Sequence, residues 1–350
     1  MVELKTQTKK KQQSEKERED EKDLISTLSD DVLVHIIHLL DTATAVRTSL
    51  LSKRWNNLWK SLITLSFRRR DFENQVSYNQ FVHHVLSHRD TSIRLHSLDF
   101  DACVAAQELR ILNLFKPLLH YVPHLRIYLY HKSTKKVHYS IPIIFSSSSL
   151  TSLTLTLSNL IIFKLPPSLE LPALKTLSLT NVSFTARDDD ECAEPFSSCL
   201  LLNSLVLMGC SLTNPAKVLS ISNSNLSRLT MNRFSEVMKY KIVLSTPNLT
   251  HLTIRSWMKI HELSSTCDLA LLEEANIETS MRASHAVVLR LLQMLSYAKI
   301  LILSECILAA ILKVVLEDNP GKRHGNSLTR IQVDYAINAF QKGSAYFGTI

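Results

Sequence analysis

LNSLVLMGCSL, residues 202–212, sets Leu202, Leu205 and Leu207 at a Leu-x-x-Leu-x-Leu spacing, with Cys210 eight positions after the first leucine and Leu212 two further on. Residues two apart share one side of an extended chain, so the stretch reads as a short strand that buries Leu205 and Leu207 and then turns. The spacing recurs at Leu150-Leu153-Leu155, Leu174-Leu177-Leu179, Leu226-Leu229-Met231 and Leu249-Leu252-Ile254, and more weakly from Leu95, Leu125, Leu272, Ala298 and Leu328. Successive starts lie 23 to 30 residues apart. Cys103 and Cys306 occupy the same eighth position after Leu95 and Ala298, a marker independent of the leucines.

That period, with Asn or Cys at the eighth position, is the pattern of leucine-rich repeats. A single repeat cannot bury its own apolar side, so the units stack, and each contributes one strand to a curved parallel sheet with leucines inward. The residues between the leucines then face outward and form ladders across neighbouring strands. Three adjacent repeats give Arg228-Thr230-Asn232, His251-Thr253-Arg255 and Glu274-Asn276-Glu278. Of these, Arg228, Asn232, His251, Arg255, Glu274, Asn276 and Glu278 are the candidate target-binding residues. The phased cysteines read as small buried thiols at the strand exits. Cys192 and Cys199 have no close histidine pair to complete a zinc site, and no metal ligand set is expected.

Composition narrows the function classes. The chain has 350 residues, 45% of them hydrophobic, and a mean hydropathy of +0.03, enough to bury a large core. Its longest apolar runs, such as Leu160–Phe163, fall far short of the roughly 18 residues of a membrane helix. Six scattered cysteines without a CxxC pair fit a reduced, intracellular protein, cytoplasmic or nuclear. The net charge of +8 is diffuse: seven basic and seven acidic residues cancel within 1–23, and residues 24–67 carry only +1. Such a distribution argues against a phosphate-tracking groove and nucleic-acid binding. Only five glycines are present, the first at Gly209, so neither a phosphate-cradling loop nor a GxSxG elbow can be written. No catalytic constellation and no cofactor are expected; the chain reads as a non-enzyme.

Residues 24–62 change to helical periodicity. Ser29 is positioned as an N-cap before Asp30 and Asp31, and the spacing predicts a helix over 30–40, a second through Arg47 capped by Asp41 or Thr42, and a third starting near Lys53. Leu51, Trp55, Leu58 and Leu62 would form one stripe on that third helix, with Trp59 beside it. A fourth helix is expected over 76–88, where His84 and His88 stand i, i+4 with no third ligand.

The 45-residue segment DLISTLSDDVLVHIIHLLDTATAVRTSLLSKRWNNLWKSLITLSF, residues 23–67, resembles an F-box of the kind found in large plant families: a Leu-x-Asp-Asp-x-Leu start, an Ile/Leu-rich helix and a Ser-x-Leu-Ser-Lys-Arg-Trp-x-x-Leu-Trp run. It departs from that pattern at Ser29 and near Thr42, where the family usually has proline. The resemblance implies an α/β chain: a three-helix F-box module over 24–67 and a helical linker over 68–94, then a leucine-rich-repeat solenoid over 95–336. A charged disordered arm over 1–23 and a poorly ordered tail over 337–350 flank it. Similar plant proteins often carry a further small domain after their repeats, which is expected to be absent or incomplete here.

It further implies the substrate-recognition subunit of a Skp-cullin-F-box ubiquitin ligase, docking a Skp-type adaptor, and through it cullin, while the repeats bind an unknown target protein. The implied adaptor-contacting set is drawn from Leu28, Leu33, Ile36, Ile37, Leu50, Leu51, Trp55, Leu58 and Trp59, some of which belong instead to the module's own core. The alternative is a leucine-rich-repeat interaction scaffold not engaged in a ligase.

Overall fold

The computed structural model describes residues 25–317, apart from 105–114, 116, 120, 133–134, 140–143, 146, 187–190, 234–240, 257–261 and 280–284. The arm over 1–23, the strand expected at Leu328 and the tail over 337–350 lie outside the described residues. Ten strands form one parallel sheet in chain order: β1 (Thr64–Phe67), β2 (Ser97–Cys103), β3 (His124–Tyr130), β4 (Ser152–Leu157), β5 (Thr176–Thr180), β6 (Ser204–Met208), β7 (Arg228–Asn232), β8 (His251–Ser256), β9 (Glu274–Thr279) and β10 (Ile300–Leu303).

Register turns the leucine spacing into continuous columns. Leu65, Leu98, Leu125, Leu153, Leu177, Leu205, Leu229, Leu252, Ala275 and Leu301 pair in sequence from β1 to β10. Phe67, Phe100, Ile127, Leu155, Leu179, Leu207, Met231, Ile254, Ile277 and Leu303 form the neighbouring column. Both columns are buried through Ile277, and the residues between them face outward. Each such side chain contributes roughly 1.5–3 kcal/mol on burial, but only because the next repeat covers it.

Two expectations shift by a register step. Leu125 pairs with Leu98 and Leu153, so it holds the second leucine position of its repeat, and buried Val122 holds the first. The sheet also begins before Leu95, because β1 already pairs with β2. The sequence reading missed β1 because it spent Leu62 on the stripe of the expected third helix, although Leu62-Leu65-Phe67 keeps the repeat spacing and all three are buried.

Behind the main sheet, Cys192–Ala193, Val218–Ser222, Lys241–Ser245 and Glu262–Ser265 form a second parallel sheet, so the central coils are closed by strands. The described helices are α1 (Asp30–His38), α2 (Thr42–Arg47), α3 (Gln75–His88), α4 (His285–Met294) and α5 (Glu305–Glu317). The third helix expected near Lys53 does not form. That segment instead makes tight turns in which Trp55, Asn56 and Leu58 donate to the carbonyls three residues back, followed by a 3-10 turn over Leu58–Ser61. The Asn56-Asn57 pair, a weak helix former that competes for backbone hydrogen bonds, sits at its middle. Cys306 lies inside α5, half-buried, rather than at a strand exit like Cys210.

The exits of three successive strands share one backbone device. Asn181, Gly209 and Arg233, which follow β5, β6 and β7, have φ of 59°, 61° and 52°. This left-handed conformation points each amide at the next coil: they donate to Met208 O at 2.8 Å, Asn232 O at 2.8 Å and Arg255 O at 2.9 Å. At Gly209 a Cβ would also collide with the side-chain Oδ1 of Asn181, whose Nδ2 donates to Leu157 O at 2.6 Å. Gly209→Ala is therefore expected to cost about 2 kcal/mol, the left-handed penalty plus the collision. A urea unfolding midpoint unchanged from wild type would contradict this account of the exit turn.

Candidate functional site

The amino-terminal helical unit separates its apolar residues into two sets that the sequence left mixed. Leu33 and Ile37 of α1 are fully buried, and Trp55, Trp59 and Leu62 join them at 6%, 4% and 2% exposure. Leu28, Ile36 and Leu58 are half-buried against this core. Leu50 and Leu51 are 86% and 65% exposed, on the 3-10 turn that follows α2. Ile25, Val32 and Leu39, outside the expected adaptor-contacting set, are exposed as well. Val32, Ile36 and Leu39 stand i, i+4 and i+7 on α1, beside the inward face of Leu33 and Ile37. An apolar face on both sides of one helix was the signal available in the sequence.

Of the basic residues around the tryptophans, Arg54 has a structural role. Arg54 Nε donates to Asp30 Oδ1 at 2.7 Å, and its Nη2 donates to Leu28 O, which ties the turn to the start of α1. Ser29 takes the N-cap position with φ −67° but makes no side-chain capping bond. Asp41 caps α2 by accepting from Thr44 N at 2.9 Å. His38 Nε2 lies 3.2 Å from Ser61 O.

This unit is welded to the sheet. Ser66 N of β1 donates to the buried Thr42 Oγ1 at 2.7 Å, so α2 covers an edge amide of the first strand. Asp90 N donates to Lys60 O at 3.1 Å. The Trp59 and His84 rings sit 5.8 Å apart. Tyr78 of α3 reaches across to Asp101 O at 2.5 Å and Phe67 O at 3.1 Å, and burial raises its phenol pKa well above the usual value.

On the outward face, the candidate target-binding residues stand in register. Arg228, His251 and Glu274 form one row, and Asn232, Arg255 and Glu278 another, with Asn276 between them on β9. Arg255 Nε and Glu278 Oε1 pair at 3.2 Å. Among the described residues, the buried Asn232 Oδ1 and Asn276 Oδ1 have no hydrogen-bond partner. The central strands β4 and β5 show Ser152, Thr154, Thr156, Thr176, Ser178 and Thr180 outward.

A further outward group on β1–β3 escaped the sequence reading because Leu125 was given the wrong phase and Arg68 was assigned to a linker. There Asp99, only 18% exposed, lies 3.9 Å from Arg68 and 3.6 Å from Arg126. Tyr128, two residues on from Arg126, is 40% exposed and stacks near Tyr130 at 5.9 Å.

The His84 and His88 rings lie 4.5 Å apart, tilted by 30°, and His88 Nδ1 contacts His84 O at 2.8 Å. Among the described residues no group of three His, Cys, Asp or Glu is placed to hold a metal ion. Burial pushes the Cys199 thiol up to about 11 and the Cys210 thiol up to about 12, so both stay protonated. Among the described residues no helix is long and apolar enough to cross a membrane.

Comparison with known proteins agrees with this geometry. The F-box domain model matches residues 25–67, the span from the first turn through β1. A putative F-box protein of Arabidopsis thaliana is 32% identical over 232 residues, 64% of this chain and 52% of that protein. An F-box/LRR-repeat protein of the same plant is 31% identical over 254 residues, 66% of this chain and 40% of that protein. An FBD-associated F-box protein, also from Arabidopsis thaliana, is 30% identical over 262 residues, 73% of this chain and 61% of that protein. The chain carries an F-box domain ahead of a leucine-rich-repeat-like solenoid, and the relatives it matches are plant F-box and F-box/LRR-repeat proteins. It spans about half the length of the curated relatives it matches. In this F-box/leucine-rich-repeat chain the F-box supplies both a helical unit and the first strand of the solenoid sheet.

The division of the F-box leucines and tryptophans can be read by stability. Trp59→Ala is expected to cost about 3–5 kcal/mol through the cavity it leaves, whereas Leu50→Ala or Leu51→Ala should shift stability by less than about 0.5 kcal/mol. Equal losses in denaturant melts of the three variants would refute the division. Asp99 supplies a pH test. Burial raises its carboxyl pKa against the lowering effects of Arg126 and Arg68. The folded chain thus binds that proton more readily than the unfolded chain, and the stabilising contribution present at low pH is lost as pH rises through the raised pKa. Asp99→Asn should therefore melt at a higher temperature than wild type at pH 7, with the gap closing below about pH 4. A gap that is constant from pH 4 to 7 would exclude this assignment.

Proposed function

We propose that this protein is the substrate-recognition subunit of a Skp-cullin-F-box ubiquitin ligase: the F-box docks a Skp-type adaptor, and through it cullin, while the outward face of the solenoid holds a target protein. The observation that carries the reading is the exposure of Leu50 and Leu51 on a unit whose tryptophans are already buried in its own core. Large leucines left in water beside a filled core are surface kept for a partner. Ile25, Val32 and Leu39 extend the exposed apolar surface of the same unit.

Mechanism then follows from rigidity. Because Thr42, Lys60, Trp59 and Tyr78 tie the F-box to β1, β2 and α3, a target on the sheet is held at a fixed distance and angle from the adaptor. Other subunits would transfer ubiquitin, and this chain raises the rate by holding the target lysines near them. The reading carries a cytoplasmic or nuclear location with it.

The alternative, a scaffold that does not engage a ligase, rests on the missing prolines at Ser29 and near Thr42. The φ of −67° at Ser29 lies in the range a proline ring imposes, so at that position the helix start keeps its geometry. The discriminating experiment is co-purification with a Skp-type adaptor. The double change Leu50→Asp, Leu51→Asp is expected to weaken adaptor binding at least about tenfold, roughly the loss of one well-packed apolar anchor, with an unchanged melting curve. Full adaptor binding by the folded double variant would overturn the docking assignment, and failure of the wild-type chain to bind any Skp-type adaptor would favour the scaffold.

A further inference from the structure

The ion pairs of the solenoid differ in kind at its two ends. Arg255 with Glu278 and Lys299 with Glu273 are each one cation on one anion, at 3.2 and 3.1 Å. At the other end two guanidinium groups approach the same oxygen, Asp99 Oδ2, at 3.9 Å from Arg68 and 3.6 Å from Arg126. Both distances exceed hydrogen-bond length, and among the described residues neither guanidinium has a hydrogen-bonded acceptor. Arg68 and Arg126 are 45% and 64% exposed, so their N–H forks face solvent, while Asp99 beneath them is largely covered.

Backbone register explains the convergence. Arg68 continues the outward alternation of Thr64 and Ser66 in extended backbone, and Arg126 is the direct partner of Asp99 across β2 and β3. Tyr128, next outward on the same strand as Arg126, offers a half-exposed ring, and its stacking neighbour Tyr130 is fixed by a hydrogen bond to Gln75 Oε1 at 3.0 Å. Beyond it the floor is uncharged, with Thr154 and Thr156 on β4 and Ser178 and Thr180 on β5. Two guanidinium forks without a hydrogen-bonded acceptor among the described residues, the largely covered Asp99 carboxylate they share and an aromatic platform lie beside a neutral hydroxyl surface, while Asp101, two residues on from Asp99, accepts from Arg69 N at 3.0 Å. Arginine and tyrosine in this arrangement are the side chains that dominate protein interfaces, and a guanidinium fork matches a carboxylate through two parallel hydrogen bonds.

We propose that Arg68 and Arg126, held together by Asp99, are the anchor of the target site, and that they take the carboxylate of an aspartate or glutamate in an extended peptide segment of the target, packed against Tyr128. The proposal rests on the sheet face being the target surface, but not on the adaptor assignment. Asp99 competes with the incoming carboxylate for the same two forks, so it tunes affinity downward while keeping the arginines paired.

The test is selection of ten-residue peptides from a random display library on the full chain, followed by anisotropy titration of one selected peptide. The enriched peptides are expected to share an acidic residue. Arg68→Gln and Arg126→Gln should each weaken binding about tenfold, roughly one charge-assisted bidentate contact. Asp99→Asn should tighten it by about the same factor, a direction that misfolding cannot produce, and Lys299→Gln at the far end should change nothing. Selected peptides without a shared acid, equal binding when that acid is replaced by glutamine, or weaker binding to the Asp99→Asn variant would each overturn the proposal. A phosphoserine replacement binding ten times tighter than the acid would also overturn it, in favour of a phosphate. Adaptor co-purification run on the same variants separates the two readings: lost peptide binding with adaptor binding intact sinks only this one.

Discussion

The fold depends on one constraint: each strand of the main sheet can satisfy its backbone amides and cover its inward leucines only through the coil on either side. The columns from Leu65 to Leu301 and from Phe67 to Leu303 are thus a single core built by nearest-neighbour stacking. A solenoid made this way has two ends that stacking cannot finish. At the first, the F-box supplies β1 as an additional coil and Thr42 as an acceptor for a β1 amide, so the helical unit acts as the cap of the sheet. The boundary between the F-box and the repeats is accordingly a strand pairing and not a hinge.

That junction also explains how the tryptophans are used. A unit of about 40 residues has little core of its own, and Trp55 and Trp59 fill it while Trp59 extends contact to His84 on α3. With the aromatic residues consumed in this way, the exposed apolar surface of the unit is the smaller aliphatic set at Leu50, Leu51, Leu39 and Val32. The same turns that bury the tryptophans present the two leucines outward, so core and surface here are two results of one local backbone path.

The outward face varies along its length. Charged side chains cluster on β1–β3 and again on β7–β9, and between them β4 and β5 show only serine and threonine. In the far cluster Arg255 pairs with Glu278 one to one, whereas in the near one two arginines share the largely covered Asp99 carboxylate. The near cluster lies on the strands that the F-box caps, β1 to β3, and the far one at the opposite end of the sheet.

The leucine spacing by itself determined the parallel solenoid, the inward columns from β4 to β8 and the register that sets Arg228, His251 and Glu274 side by side. It could do so because a period-two strand pattern fixes which side chains face inward, wherever the strand is. The F-box segment was equally legible as a helical unit with a Trp-containing run. Only the tertiary structure decided that the unit's last residues are a strand, that the run 51–62 turns instead of forming a helix, and that Trp55 and Trp59 are core while Leu50 and Leu51 are surface. Only it joined Arg68, Asp99 and Arg126, which are distant in sequence and adjacent across three strands. Helical and turn spacings both allow the same apolar residues to face either way, and what settles the choice is the contact with β1 and α3, which no local pattern contains.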